Sequence, residues 1–302
     1  MIVCVGEILA DMIGEEKNGC MIYEQKAGGA PFNVACAAKK FGAEVAFVGS
    51  VGDDIIGNKL VSFAKERGFD GRYIGRSKSR NTTLAFVSID ASGERSFCFF
   101  RKNTADAFIK SPSEKLLKSA DIVHIGSLML SDGRGVAFIE KLVERARKYS
   151  PKISFDVNFR SDVFASESEA IKTYKKVLPL MDIVKFSEDE IKIFGNDYIE
   201  RSLKDKLVFV TLGSKGSRWQ YKGRSGFAPT VKVKCVDTTG AGDAFYAGVL
   251  TKLDKKDLSQ TTDGELNEIL RFANVCGGLN TRGKGAIDCL PSIGEIEAFL
   301  SK

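Results

Sequence analysis

Between residues 231 and 253 the chain reads V-K-V-K-C-V-D-T-T-G-A-G-D-A-F-Y-A-G-V-L-T-K-L. An extended run is expected to end at Val236 and a helical apolar pattern to begin near Ala244, with Asp237-Thr238-Thr239-Gly240-Ala241-Gly242-Asp243 between them. Small residues at a helix N-terminus leave N–H groups aimed outward, where the helix dipole favours negative charge. Gly240 and Gly242 let an anion approach the backbone with no Cβ in the way. Asp243 then falls in the first helical turn, held ionised by the same dipole and able to accept a proton. Anion-binding amides at Gly240, Ala241 and Gly242 beside a carboxylate base are what phosphoryl transfer to an alcohol requires. Asp and Thr are also ordinary helix caps, but a cap needs one such residue and not the whole string.

The elements that position this segment are legible as an alternation. Strand-length apolar runs occupy 1–6, 45–50, 121–126, 152–157, 182–186 and 207–212, and helical spacing occupies 31–42, 55–68 and 138–149. Strands alternating with helices predict an α/β fold, a mostly parallel central sheet with helices on both faces. Such sheets bind ligands beyond the carboxyl ends of their strands. Two stretches break the pattern. T-L-A-F-V-S-I-D and R-S-F-C-F-F-R (83–101), joined by A-S-G-E, read as a hairpin, and M-I-Y-E-Q-K-A (21–27) as another short extended piece. No linker sets them apart, so the expectation is a single domain over 1–302 with a small β lid inserted from about 12–27 and 83–103.

Composition narrows the functional classes. The 302 residues carry 45 Lys and Arg against 39 Asp and Glu, a net charge of +6, with 43% hydrophobic and 28% charged residues. This is a globular composition rather than a disordered one. No window approaches the roughly 18 apolar residues of a membrane span, and Glu7 and Asp11 interrupt the N-terminal apolar stretch, which reads as a strand and not a signal peptide. Basic residues are interleaved with acids, so a nucleic-acid partner is not expected. Seven scattered cysteines without a C-x-x-C pair point to a reducing, cytoplasmic setting. His124, the only histidine, lies in A-D-I-V-H-I-G-S and is expected in the core, which leaves Ser-His-Asp chemistry and a Cys/His zinc set without a member.

The segment D-T-T-G-A-G-D-A-F (237–245) resembles the C-terminal signature of the PfkB, or ribokinase-like, sugar kinases. G-G-A-P-F-N-V-A (28–35) is similar to that family's sugar-binding motif. V-G-E-I-L-A-D (5–11), F-D-V-N-F-R (155–160), S-E-D-E (187–190), V-T-L-G-S-K-G (210–216) and R-F-A-N (271–274) extend the resemblance, in the family's order, across nearly the full chain. The resemblance implies Asp243 as the base that deprotonates the sugar hydroxyl attacking the γ-phosphate of ATP, with the amides of Gly240, Ala241 and Gly242 stabilising the transferring group. It implies sugar contacts from Asp11, Gly28, Gly29, Asn33, Asn158 and Arg160. Taken alone, Asp11 is equally a turn residue, and Gly28-Gly29-Ala30-Pro31 is also a tight turn with Pro31 opening a helix. For ATP the resemblance implies Ser187, Thr211, Gly213, Gly216 and Asn274. The glycine spacing of 211–216 is equally that of a strand-to-hairpin turn, and Asn274 is equally a buried, satisfied amide. Glu190 is implied to act on Mg²⁺ through water, although serine at 187 replaces the family's asparagine, and Glu188, Asp189 and Glu190 are also favourable acids for a helix start. Asp237 and Thr239 match monovalent-cation positions, for which K⁺ is the expected ion.

G-G-A-P-x-N and F-F-R (99–101) resemble the fructokinase branch, with Phe97 and Phe99 as candidate walls of the sugar site. Arg101 and Arg160 resemble the arginines that 2-keto-3-deoxygluconate kinases place on an acid sugar, and guanidinium suits carboxylate and phosphate alike. Fructose is the first expectation and 2-keto-3-deoxygluconate the second. A non-catalytic sugar- or nucleotide-binding module is the alternative from another class, but it has no use for Asp243. The resemblance also implies a homodimer formed through the lid. G-L-N-T-R-G-K-G (278–285) imitates a P-loop but follows a helical pattern and has Gly285 where Ser or Thr is needed.

Overall fold

The computed structural model describes residues 1–89 and 95–301. Its strands are β1 (Ile2–Val5), β2 (Leu9–Lys17), β3 (Cys20–Gly28), β4 (Val45–Gly52), β5 (Ile74–Ser77), β6 (Leu84–Ile89), β7 (Arg95–Phe100), β8 (Ile122–Ile125), β9 (Lys152–Asp156), β10 (Ile183–Ser187), β11 (Leu207–Thr211), β12 (Ser217–Tyr221) and β13 (Arg224–Ala228). Nine form one sheet in the order β13-β12-β11-β10-β9-β8-β1-β4-β5. From β11 to β5 every pairing is parallel, and β12 and β13 fold back antiparallel at one edge. Parallel strands are covered on both faces, which is why β1, β8, β10 and β11 are almost continuously apolar. The pleat sends Ile2 and Cys4 into one core with helices Ala30–Lys40, Ala241–Leu253 and Asp263–Asn280. It sends Val3 and Val5 into a second core with helices Gly135–Arg147 and Glu167–Val177. Each such buried side chain contributes about 1.5–3 kcal/mol. His124 is buried on the face of the first core, against Tyr246 and 1% exposed, with Nδ1 3.2 Å from Ser154 Oγ; burial and then the Lys185 charge push its pKa down to about 3.

A second, four-stranded sheet has the order β3-β2-β6-β7. Asn18 and Gly19, both with positive φ, make the two-residue turn joining β2 to β3. The lid strands thus begin at Leu9 and end at Phe100, against the expected 12–27 and 83–103. The expected A-S-G-E turn at 91–94 lies outside the described residues, as does the side chain of Phe97. Leu9, Asp11, Ala85 and Phe99 share the face toward the body by register, and Met12, Tyr23, Phe86 and Phe100 the opposite one. Thr82 hinges the lid to the body: its N–H and hydroxyl donate to Asp54, which caps helix Ile55–Glu66.

The sequence expectation fails at 231–236, which forms no strand. Val231 and Val233 are half-buried while Lys232 and Lys234 are exposed, so the alternation is present. No strand pairs with it. Val236 N–H and Asp237 N–H instead donate to the Thr281 carbonyl at 2.7 and 3.1 Å.

Candidate functional site

From β1 the chain runs outward to β4 and β5, then returns to lay β8 on the other side of β1. The crevice at the carboxyl ends of β1 and β8 is therefore a topological switch point. A cavity of about 350 Å³ lies there. Glu7 after β1, Asp11 and Phe99 from the lid, and Gly29 and Asn33 at the start of helix Ala30–Lys40 line one side. Asn158 and Arg160 after β9, Lys185 on β10, and Gly240, Gly242 and Asp243 line the other. A Cβ on Gly28 would sit 2.1 Å from Asp11 Oδ2, so glycine there makes room for the Asp11 carboxylate. Gly29 has φ +107°, and a Cβ on it would meet the Glu7 carbonyl at 2.5 Å.

Helix Ala241–Leu253 begins three residues before the expected Ala244 and is capped by Gly240, in the left-handed region at φ +73°. Its first turn carries Asp243, whose Oδ2 accepts a 2.9 Å hydrogen bond from Asn33 Nδ2. Asn33 Oδ1 is buried without a partner among the described residues, and an unfilled acceptor of this kind costs about 1–3 kcal/mol until a donor arrives. Burial pushes the Asp243 carboxyl above its ordinary value, opposed by the Asn33 bond and the charges of Lys185 and Arg160. Desolvation therefore acts against the helix start at this carboxyl. A carboxyl raised toward working pH is a stronger general base.

Three groups at this wall escaped the sequence reading. Glu7 is 3% exposed, its Oε2 is unpartnered, and burial pushes it up to about 8. Lys185 donates to both oxygens of Asp156 at 2.8 and 3.0 Å inside the sheet. Burial raises Asp156 to about 6 against the pull of Lys185. Burial would lower the Lys185 ammonium, but Asp156, Glu190 and Asp243 together raise it. One signal was available: a lysine inside the apolar strand D-I-V-K-F is a charge that must find a partner.

A second cavity of about 340 Å³ adjoins the first, and Thr238 and Gly242 line both. Thr211, Gly213 and Gly216 form its rim, Val231, Val233 and Cys235 its outer wall, and Ala241, Phe245 and Asn274 its floor. Asn274 accepts from Ser217 Oγ at 2.9 Å and donates to the carbonyls of Ala228 and Pro229 at 3.0 and 3.1 Å. Its amide therefore clamps β12 and β13 to helix Asp263–Asn280, as a buried, satisfied amide would, while the residue also lines the second cavity.

Ser187 and Glu190 line neither cavity. They form the reciprocal cap of helix Glu188–Phe194, Ser187 Oγ accepting from Glu190 N–H at 3.2 Å and Glu190 Oε2 from Ser187 N–H at 2.6 Å. Glu190 Oε1 accepts from Phe159 N–H at 2.7 Å, so both carboxylate oxygens already hold backbone. Arg101 is also absent from the cavity wall: its Nε donates to Asp106 at 2.6 Å and its Nη1 to Ser131. Asp237 knits the anion loop together, with Oδ1 accepting from the N–H and hydroxyl of Thr239 at 2.8 and 2.7 Å and Oδ2 from Gly285 N–H at 2.9 Å. Gly285, the residue that spoils the P-loop pattern, serves that bond. No three His, Cys, Asp or Glu side chains among the described residues gather as metal ligands, and no helix among them is long and apolar enough to cross a membrane.

The sequence pattern described as pfkB family carbohydrate kinase matches residues 1–293. A probable fructokinase-5 of Arabidopsis thaliana is 36% identical over 316 residues, covering 99% of this chain and 97% of that protein. Among solved structures, the fructokinase of Xylella fastidiosa with bound ATP superposes with a TM-score of 0.88 at 30% identity, covering 99% and 98% of the two chains. A double mutant of the Vibrio cholerae O395 fructokinase, in a form with fructose, ADP and potassium ion bound, gives 0.88 at 29% identity, covering 99% and 97%.

Proposed function

Since the chain belongs to the pfkB family of carbohydrate kinases, we propose that it phosphorylates fructose with ATP to give fructose 6-phosphate. The carrying observation is that the two cavities meet at Gly242, one residue before Asp243. Asn33 orients the Asp243 carboxylate, which takes the proton of the hydroxyl group. The amides of the Gly240–Asp243 turn receive the charge of the transferring phosphoryl group. Asp11, Asn33 and Arg160 hold the sugar, and Phe99 closes over it to exclude water. A neutral sugar is favoured over 2-keto-3-deoxygluconate because Arg101 is already neutralised by Asp106, which leaves Arg160 as the guanidinium at the cavity wall.

ATP binds over Thr211, Gly213 and Gly216, with the adenine against Val231 and Val233. Mg²⁺ would be held chiefly by the ATP phosphates and would supply neutralisation of their charge; Glu190, whose two oxygens hold backbone outside both cavities, could act on it only through water. The loop of Asp237 and Thr239 is the monovalent-cation position, and beside it stands Asn280, whose Nδ2 donates to the Thr239 carbonyl at 3.1 Å while its Oδ1 has no partner among the described residues. The lid's outer face supports a homodimer: Met21, Tyr23 and Phe100 are 51%, 43% and 59% exposed around Phe86. Seven unpaired cysteines accord with a reducing cytoplasm.

ADP release with Mg-ATP, K⁺ and separate samples of fructose, 2-keto-3-deoxygluconate, ribose and adenosine tests this reading. Turnover confined to fructose is expected. Turnover confined to another acceptor overturns the sugar, and binding of ATP and sugar without ADP release overturns catalysis.

A further inference from the structure

Lys185 stands where a transferring phosphoryl group would pass. A Cβ built on Gly242 has Lys185 Nζ and Cε as its nearest neighbours, at 3.5 and 3.7 Å. Gly242 belongs to the wall of both cavities, and Lys185 to that of the sugar cavity. The ammonium has three N–H donors. Two go to the Asp156 oxygens, and the third has no partner among the described residues. A buried Lys–Asp pair is a poor device for stability alone, since apolar residues of similar volume serve a sheet interior as well or better. Asp156, Glu190 and Asp243 all act on this one ammonium, and without it their negative charge would repel an incoming triphosphate.

We propose that Lys185 is a further catalytic residue, whose ammonium, aimed by Asp156, contacts the γ-phosphoryl group as it crosses from ATP to the sugar. This rests on the kinase reading of the site. In the step the sugar oxygen bonds to the γ-phosphorus while the bond from that phosphorus to the β,γ-bridging oxygen breaks. The hydroxyl proton goes to Asp243 and the electron pair leaves on ADP. Lys185 keeps its protons throughout and offsets charge on the equatorial oxygens, together with the amides of the Gly240–Asp243 turn.

Lys185→Met leaves Asp156 buried and unpaired, so Lys185→Met combined with Asp156→Asn is the second, charge-neutral variant, checked for folding by circular dichroism and melting. In the folded variant, kcat is expected to fall by roughly 10²–10³. KM for sugar and the affinity for a non-hydrolysable ATP analogue should stay near the wild-type values. Affinity for Mg-ADP with aluminium fluoride and sugar, which mimics the planar phosphoryl group, should fall in step with kcat. Because the ammonium acts on phosphate, the loss is expected with whichever sugar the wild type phosphorylates, so an error in the sugar leaves this result intact. A folded double variant with near-normal kcat would overturn the proposal. So would a loss confined to the sugar KM, or unchanged affinity for the aluminium fluoride complex.

Discussion

Two buried asparagines separate the two halves of the site. Asn33 in the sugar cavity spends its amide nitrogen on Asp243 and leaves its oxygen unpartnered, whereas Asn274 in the nucleotide cavity spends both ends of its amide on the protein. The contrast extends to their neighbours. Glu7 keeps an unpartnered oxygen at the sugar wall, while the nucleotide wall is made largely of glycines, valines and hydroxyl side chains such as Thr211 and Thr281. A polyol is recognised by pairing its hydroxyl groups, so that cavity stores unfilled hydrogen bonds. The nucleotide cavity offers shape and outward amides, and the side chains of Asn274, Thr211 and Thr281 on its wall already hold protein groups.

Removing the charge of the shared carboxylate should produce the largest effect. Asp243→Asn should lower kcat by about 10²–10⁴ while ATP affinity, measured by titration calorimetry, stays within a few-fold of wild type. Asn33→Ala comes next: losing a hydrogen bond to a charged group should lower kcat/KM for the sugar by about 10–100-fold with little change in KM for ATP. Comparable losses for both substrates would dissolve the distinction between the two cavities. Asn274→Ala should act the other way round. It leaves Ser217 and two carbonyls unpaired, costs about 1–3 kcal/mol of stability in thermal unfolding, and raises KM for ATP a few-fold with kcat nearly intact.

Glu7 gives the smallest and most condition-dependent effect. Its folded pKa of about 8 lies above the ordinary 4.5, so the folded state holds the proton more tightly than the unfolded one. Stability from this group is therefore present below about pH 4.5 and is lost as pH rises through about 8, with a slope of up to about 1.4 kcal/mol per pH unit. Arg101, Asp106 and Asp243 are the charges that act on it. Glu7→Gln should flatten that fall in denaturant titrations between pH 5 and pH 8. An unchanged slope would mean that Glu7 is ionised in the folded protein and that the sugar wall is more charged than described.

The parallel body was legible because strands buried on both faces must be apolar: Ile2–Val5, Ile122–Ile125 and Leu207–Thr211 announce themselves. The lid was half legible. Asn18-Gly19 marks the β2–β3 hairpin, but the acids and lysine at 15–17 disguise the end of β2 as a loop, since the tip of the hairpin beyond its pairing with β6 is exposed and needs no apolar pattern. At 231–236 the period-2 pattern was real and misled, because valines that face a ligand cavity alternate as valines facing a core do. Among site residues, the Gly240–Asp243 turn could be read from residue type alone. The roles of Ser187, Glu190 and Asn274 could not, because a cap, a clamp and a ligand use the same side-chain atoms and only their partners tell them apart. Lys185 and Glu7 were hidden by their surroundings: each sits in an apolar run, and its importance comes from what the fold brings against it.

The claim that both cavities serve one transfer is tested most directly by a rapid-quench single turnover, using ATP labelled in its γ-phosphate, with and without fructose. All of the label should move to fructose 6-phosphate, one for each ADP formed, with negligible release as inorganic phosphate when the sugar is absent. Label that appears in inorganic phosphate at the same rate with or without fructose would contradict it, as would label that stays on ATP while fructose is bound.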